Sequence, residues 1–417
     1  MKTDSSVIPN GSKKEVTMTQ RRNLALTMIG LVTLPSCSAV LPVYGTRIRE
    51  YFAITGEQFG TLMGMRNLGR IPAMITVGPL VARLGVRQLA ELSTIGVGIA
   101  FLILGVGGSL FSFYVSMPAT GLFLGWFGTA IPIFLIALFP TNKRRIFSVM
   151  LVALSATGIL IPLLANQLLK WSVNHGDPGF ATILQMPFVI SGGIMLLVGL
   201  LLVVMQKDSF QNDFEKPHRI RLSTLLRRRT ILIALLISLH AASDNTLYYF
   251  LPMFMEKHFE HLPLASAWVV SGHGLAYVIT RTVLSLWPEG LGHRKILSLV
   301  GPLGGTIVIL TLWFGSAPLV PILYMLASLL FAAEYPVLVS EISSKSTGEF
   351  GSILGGGHLV SDVLTFTLLK GTGRIADRTN DYRIALTVAA CGFIAFGLIA
   401  TLAGLGIRPR AKNSSSR

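Results

Sequence analysis

Charge is scarce in this sequence. Only 13% of its 417 residues are Asp, Glu, Lys or Arg, about half the share of an ordinary soluble protein. A soluble fold of this length needs more polar surface, and a disordered chain needs more still. Cysteine is almost missing. Cys37 and Cys391 are the whole complement, too far apart in sequence for a CxxC site or a metal cage. Both lie in apolar runs, where they read as small buried residues, and no disulfide is expected. Acids are rarer than bases, 19 against 35, which leaves a net charge of +16. In a soluble protein that excess would suggest nucleic acid as partner. Here the basic residues fall between apolar runs, and no aromatic-plus-basic module accompanies them, so no nucleic acid is expected.

Enzyme signatures are missing too. No Gly-x-x-x-x-Gly-Lys-Ser/Thr loop occurs, which argues against direct driving by ATP. There is no HExxH, and Ser271-Gly-His273 lacks the Gly-x-Ser-x-Gly context of a nucleophile elbow. No catalytic residue, cofactor or metal is expected. The first 20 residues are polar and hold no apolar stretch ahead of Arg21 and Arg22, so the first apolar run reads as a retained helix rather than a signal peptide.

What the chain has is grease. Apolar residues make up 52% of it, and mean hydropathy is +0.65. A bilayer core asks for about 20 apolar residues per helix. Twelve runs qualify: 23–45, 58–82, 89–109, 113–139, 147–169, 186–206, 230–254, 264–287, 296–315, 318–340, 350–371 and 384–406. Small-residue faces at Gly60/Gly64, Gly121/Gly125 and Gly351/Gly355 allow close helix approach. The longest polar break, 207–229, divides the runs six and six. The expected organisation is a tail (1–22), an N-terminal bundle (23–206), a basic linker (207–229), a C-terminal bundle (230–406) and a second tail (407–417). With the N-terminus inside, 24 Lys and Arg fall on inner segments and 8 on outer ones. That bias predicts both termini in the cytoplasm of a bacterial inner-membrane protein. The last outer loop, with Lys370, Arg374, Arg378 and Arg383, goes against the trend.

An internal repeat is visible. Gly78-Pro-Leu-Val-Ala82-Arg83-Leu-Gly85-Val-Arg87 after the second span matches Glu289-Gly290-Leu291-Gly292-His-Arg294 after the eighth, 207 residues later. A half-chain repeat in a twelve-span protein suggests two parallel bundles. These residues resemble the loop signature of the major facilitator superfamily, Gly-x-x-x-Asp-Arg/Lys-x-Gly-x-Arg/Lys-Arg/Lys. Ala82 replaces the acid in the first copy, and Gly290 replaces the base in the second. The resemblance implies an all-α membrane protein whose twelve transmembrane helices form two six-helix bundles related by a pseudo-two-fold. It also implies a monomeric secondary transporter working by alternating access. Gly78, Arg83, Gly85, Arg87, Glu289, Gly292 and Arg294 become candidate gating residues. Arg70 and Arg281 are similar to the paired arginines of anion-transporting branches.

The chain also carries charges at membrane depth. Each costs roughly 3 kcal/mol there and must face a partner or a wet cavity. Arg66 and Arg70 share a face of the second span. His240, Asp244 and Tyr248 are four apart in the seventh, and His273, Tyr277 and Arg281 are four apart in the eighth. His358 and Asp362 lie in the eleventh, Glu334 and Tyr335 in the tenth. Polar stripes at this spacing point into a bundle. Guanidinium forks fit oxyanions, so Arg66, Arg70, Tyr248, His273, Tyr277 and Arg281 are candidate solute-binding residues. Asp244, Asp362 and Glu334 are candidate proton-coupling groups, because a carboxyl withdrawn from bulk water can load and release a proton as its surroundings change. The expected function is proton-coupled movement of a small anionic organic solute. The alternative is export of drugs, amphiphiles or sugars, with the charges as gates. In that case Arg66 or Arg70 would pair with Asp244 or Asp362, and Arg281 with Glu334.

Overall fold

The computed structural model describes residues 18–138, 143–174, 180–205, 227–259, 265–286, 292–345 and 350–404. Among them the only regular structure is helical. The first half holds α1 (Met18–Val43), α2 (Gly45–Phe52), α3 (Gly56–Gly107), α4 (Leu110–Leu138), α5 (Lys143–Asn174) and α6 (Phe180–Met205). The second holds α7 (Arg228–His258), α8 (Ala265–Leu286), α9 (His293–Phe314), α10 (Leu319–Phe331), α11 (Glu334–Lys345), α12 (Phe350–Thr379) and α13 (Tyr382–Leu402).

Apolar length turns these helices into membrane passes. Nine stretches of the described residues are long and apolar enough to cross. One of them, α3, has 52 residues, about 78 Å if straight, more than twice a bilayer core of about 30 Å. It is not straight. Gly85 breaks it at φ 80°, ψ 160°, a conformation that a side chain would oppose. The two arms are the second and third passes expected from sequence. Gly292, its counterpart in the repeat, also has a positive φ, 76°, and sits at the start of α9. The repeat read in the sequence therefore recurs in the backbone. The tenth pass, Leu319–Ile342, is broken at Ala332–Ala333 between α10 and α11. α5 (32 residues) and α12 (30 residues) are long enough to be the two remaining passes of the twelve read in the sequence.

In the first half α3 packs on α4 and α6, and α1 on α5 and α6. In the second, α7 packs on α12 and α13, and α9 on α10 and α13. The two bundles meet along α3/α12 and α5/α8. Buried Phe59, Phe113, Phe188, Phe250, Phe331 and Phe393 fill the core, while Val106, Phe111, Val204 and Phe314 point outward, as lipid-facing residues do. Gly60 and Gly64 face α12; Gly121 and Gly125 face α3.

Some expectations need correction. Cys391 is exposed, not buried. The eleventh span runs on to Thr379, two turns past the expected end, because the residues there pair with the other bundle. Glu91, near the start of the third span, joins Arg87 at 2.8 Å. Of the gating candidates, Gly78 is half-buried and Arg83 exposed. Glu289, the side chain of Arg294, and most of the linker (207–226) lie outside the described residues.

Candidate functional site: a charged seam between two bundles

The α3/α12 seam starts at the end of the bundle where α3 begins. Thr55 and Gln58 close a capping box there, Gln58 N–H donating to Thr55 Oγ1 at 3.2 Å and Thr55 N–H to Gln58 Oε1 at 2.9 Å. The exposed amides of this helix start also find an acid from the opposite bundle. Asp377 of α12 accepts from the N–H groups of Gly56 and Glu57, each at 2.8 Å, where the helix dipole favours negative charge. Arg374 forks onto Glu57 with two bonds of 2.8 Å, and Lys370 Nζ stands 3.7 Å from the same carboxylate. Arg49 of α2 reaches Asp377 at 3.4 Å and also bonds the Tyr382 hydroxyl. Two of the basic residues that broke the charge rule thus have acidic mates. Just inside, a Cβ on Gly60 would lie 2.2 Å from the Leu369 carbonyl oxygen. The two backbones touch there, and the seam is shut at this end.

Midway along the same seam, Arg70 forks onto Asp362. Its Nε donates to Oδ2 at 2.9 Å, and an Nη donates to Oδ1. Asp362 is fully buried and Arg70 is 35% exposed. This is the cross-bundle pairing that the gate alternative expects. One turn away, Arg66 makes no such pair; its Nη1 donates to Ser38 Oγ of α1 at 3.0 Å.

The α5/α8 seam is built differently. A Cβ on Gly274 would lie 2.7 Å from the Gly158 backbone, so these helices also touch. Arg281 crosses the seam and donates to Ser155 Oγ at 2.9 Å. Its guanidinium lies over the Tyr277 ring, 5.0 Å from the centroid, a cation–π arrangement. Arg281 does not pair with Glu334.

Behind Arg281, α7 and α8 bring their polar stripes together. Asp244 Oδ1 is 3.7 Å from His273 Nε2. His273 Nδ1 in turn sits 3.2 Å from the Tyr324 hydroxyl and 3.3 Å from Ser328 Oγ. Tyr248 and Tyr277 flank His273, with ring centroids 5.2 and 4.4 Å away. Deeper in the C-terminal bundle, Glu334 meets His240 at 2.8 Å and is fully buried. It starts α11 beside the break in the tenth pass. Next to it, Tyr335 joins His358 at 2.9 Å. His240 and His273 are thus tied to Glu334 and Asp244, and His358 to Tyr335.

Sequence reasoning missed Ser38 and Ser155, the hydroxyl partners of Arg66 and Arg281. It also missed Tyr324 and Glu57. The first three carry no signal that separates them from other small or aromatic core residues. For Glu57 a signal existed: four bases on a loop where the charge rule expects few.

Two helix bundles, twelve passes, a left-handed glycine repeated at half-chain spacing and a seam lined with ionised residues describe one kind of machine. The Major Facilitator Superfamily profile matches residues 26–355. The chain belongs to the major facilitator superfamily. It is thus a multi-pass membrane transporter of small molecules. No curated protein sequence matches it. Solved structures of the superfamily match its fold. The fucose:proton symporter FucP of E. coli is 14% identical, with 92% of this chain and 99% of that one covered and a TM-score of 0.63. A bacterial homologue of the human lysosomal transporter Spinster, in an inward-facing and occupied conformation, is 13% identical, with 93% and 97% covered and a TM-score of 0.67. The nucleoside transporter NupG is 11% identical, with 92% and 99% covered and a TM-score of 0.70. At such identities the likeness is one of fold.

Proposed function

We propose that this superfamily member is a secondary transporter that moves a small organic anion by alternating access, coupled to protons. The observation that carries the anion reading is the state of Arg66 and Arg281. They come from opposite bundles, and their side-chain hydrogen-bond partners are serine hydroxyls. A guanidinium at membrane depth whose side-chain hydrogen-bond partner is a neutral hydroxyl keeps donors that fit an oxyanion. Arg70, already neutralised by Asp362, serves better as a lock between the bundles. Solute oxyanions competing for Arg70, or a proton on Asp362, would release it. Of the three acids, Asp362 and Glu334 are placed to couple protons, while Asp244 faces the seam itself.

The positive bias of the inner segments supports a cytoplasmic-membrane protein with both termini inside. The end sealed by Glu57 and Arg374 is then the outer one, and the form described is closed to the outside. In this setting Arg83, exposed just before the break at Gly85, belongs to the cytoplasmic gate with Gly78, Arg87, Gly292 and Arg294.

The test is uptake into proteoliposomes under an imposed pH gradient, with a panel of carboxylates, phosphates, sugars and amphiphilic drugs. Accumulation of an acid, lost in Arg281→Ala, is expected. Uptake restricted to neutral or cationic compounds ends the anion reading. It would favour the second reading, export of drugs, amphiphiles or sugars with charges as gates, for which the Arg70–Asp362 pair is the specific support.

A further inference from the structure

Four bases stand at the sealed end against the charge rule, and only two of them are answered. Lys370 and Arg374 share Glu57. Arg383 has no carboxylate on its side chain among the described residues. Its Nη2 meets the His258 ring instead, 3.4 Å from Nδ1 and closer still to Nε2. A histidine ring can only accept from a guanidinium, so this contact cancels no charge. The Nε of Arg383 is buried without a hydrogen bond. Its guanidinium also lies over the Trp313 ring, 5.9 Å from the centroid. Arg383 stands in the first turn of α13, where the helix dipole disfavours a positive side chain.

Lys257, at the end of α7, adds a second unanswered base to the same patch. It is exposed, as is His258. Its Nζ donates to the Asn380 carbonyl at 2.8 Å and lies over the Tyr382 ring, 5.8 Å from the centroid. Both partners are neutral, and they flank Arg383 in the chain. The acids near by are engaged elsewhere. Asp377 and Asp381 accept from amides at the starts of α3 and α13. Glu256 is half-buried and within charge range of Arg47 of α2.

Beside this patch the surface turns apolar. Trp313, Phe314, Ile384 and Val388 are exposed on α9 and α13, which pack on each other. Trp313 Nε1 donates to Thr387 Oγ1 at 3.1 Å, which fixes the ring across the two helices. Tryptophan marks the level of lipid headgroups. We propose that Arg383, Lys257 and His258 bind the phosphodiester of an anionic phospholipid in the leaflet at the sealed end, its acyl chains lying along the α9/α13 surface. The phosphate supplies the counter-charge that Arg383 and Lys257 lack. A zwitterionic headgroup would bring an ammonium against the same bases. The site stands whatever solute is carried.

The test titrates the purified full chain, in a neutral detergent, with phosphatidylglycerol, phosphatidylcholine or inorganic phosphate, and follows melting. Phosphatidylglycerol should stabilise the chain at a concentration about 10-fold below that of phosphatidylcholine, and inorganic phosphate should have no effect. Lys257→Gln/Arg383→Gln should lose the preference. Arg228→Gln/Arg229→Gln, which removes two exposed bases at the opposite end of α7, should keep it. The wild-type chain gives a second measurement that needs no variant to fold. A phosphatidylglycerol with a photoreactive group near its headgroup should crosslink within 310–314 or 378–388. Equal response to the two lipids, an unchanged preference in Lys257→Gln/Arg383→Gln, equal loss in both double variants, or crosslinks confined to other segments overturns the proposal. Stabilisation by inorganic phosphate as strong as by the lipid makes the patch a free-anion site and overturns the lipid as its occupant.

Discussion

Along α3/α12, charge meets charge: Arg70 with Asp362, Arg374 with Glu57, Asp377 with a helix start and with Arg49. Along α5/α8 the helices approach as closely, at Gly158 and Gly274, but the one arginine that crosses finds a serine. The first seam is complete as it stands. The second is complete in packing and incomplete in charge. A transporter needs both kinds of contact. One holds a conformation, and the other leaves free energy to be gained when a solute arrives and the conformation changes.

The largest effect expected from this contrast is on stability, at the complete seam. Asp362→Asn leaves Arg70 without its mate. Breaking a fully buried pair costs about 3–5 kcal/mol. Because Arg70 is 35% exposed, about 2–3 kcal/mol is the better figure after allowance for solvent screening. Thermal melting of the detergent-purified protein should fall accordingly. The double variant Arg70→Gln/Asp362→Asn should recover much of the loss, since an uncompensated charge is worse than none. Simple additivity of the two single variants would mean that the pair is not coupled.

Next comes Arg281→Ala, which should do the reverse. With a serine as its side-chain hydrogen-bond partner, its removal should barely change melting. Solute affinity should drop about 10- to 100-fold, the worth of a charged hydrogen bond of ~1.5–3 kcal/mol. A melting loss as large as that of Asp362→Asn would make Arg281 a structural residue and erase the difference between the seams. Arg281→Lys should restore charge but not the fork, and recover only part of the affinity.

A third comparison concerns packing alone. Gly60→Leu and Gly274→Leu each insert a side chain where backbones touch, with first clashes at 2.2 Å and 2.7 Å. Overpacking of this kind costs typically ~1–3 kcal/mol. Gly60→Leu should pry open the sealed end and raise the reactivity of cysteines placed there. Gly274→Leu should disturb the approach of α5 and α8 and weaken solute binding without opening the seal. Identical phenotypes would show that the two seams act as one.

Much of the fold was legible in the sequence. Apolar runs of bilayer length mark the passes, and the repeat makes residues 85 and 292 equivalent, as their shared positive φ agrees. What failed were features decided by tertiary contacts. The break at Ala332–Ala333 lies in an unbroken apolar run, and Glu334, which starts the next helix, is held by His240 from α7. Helical periodicity also placed Arg66 and Arg70 on one face. It could not say that one turn separates a paired arginine from an unpaired one, because the partner Asp362 is 292 residues away and periodicity reports only a helix's own faces. Cys391 was misplaced for a related reason: in a membrane protein an apolar residue is as much at home against lipid as in the core.

The smallest effect tests the sealed end. Glu57→Gln removes the carboxylate that Arg374 and Lys370 share, but this group is solvent-facing, and exposed pairs contribute little to stability. Melting should therefore stay where it is. The balance between conformations should nevertheless shift, because the pair exists only while the bundles touch. A Thr61→Cys probe in a Cys37→Ser/Cys391→Ser background should be labelled faster by a thiol reagent in the Glu57→Gln variant than in its parent. High salt, which screens exposed charges over ~3 Å at 1 M, should speed labelling of the parent and change the variant less. Asp377→Asn should act in the same direction and with less sensitivity to salt, since its carboxylate accepts from two backbone amides rather than mainly from free side chains. Equal labelling of parent and both variants would mean that the glycine contacts alone hold this end, and the ionic rim would then be a consequence of closure with no part in maintaining it.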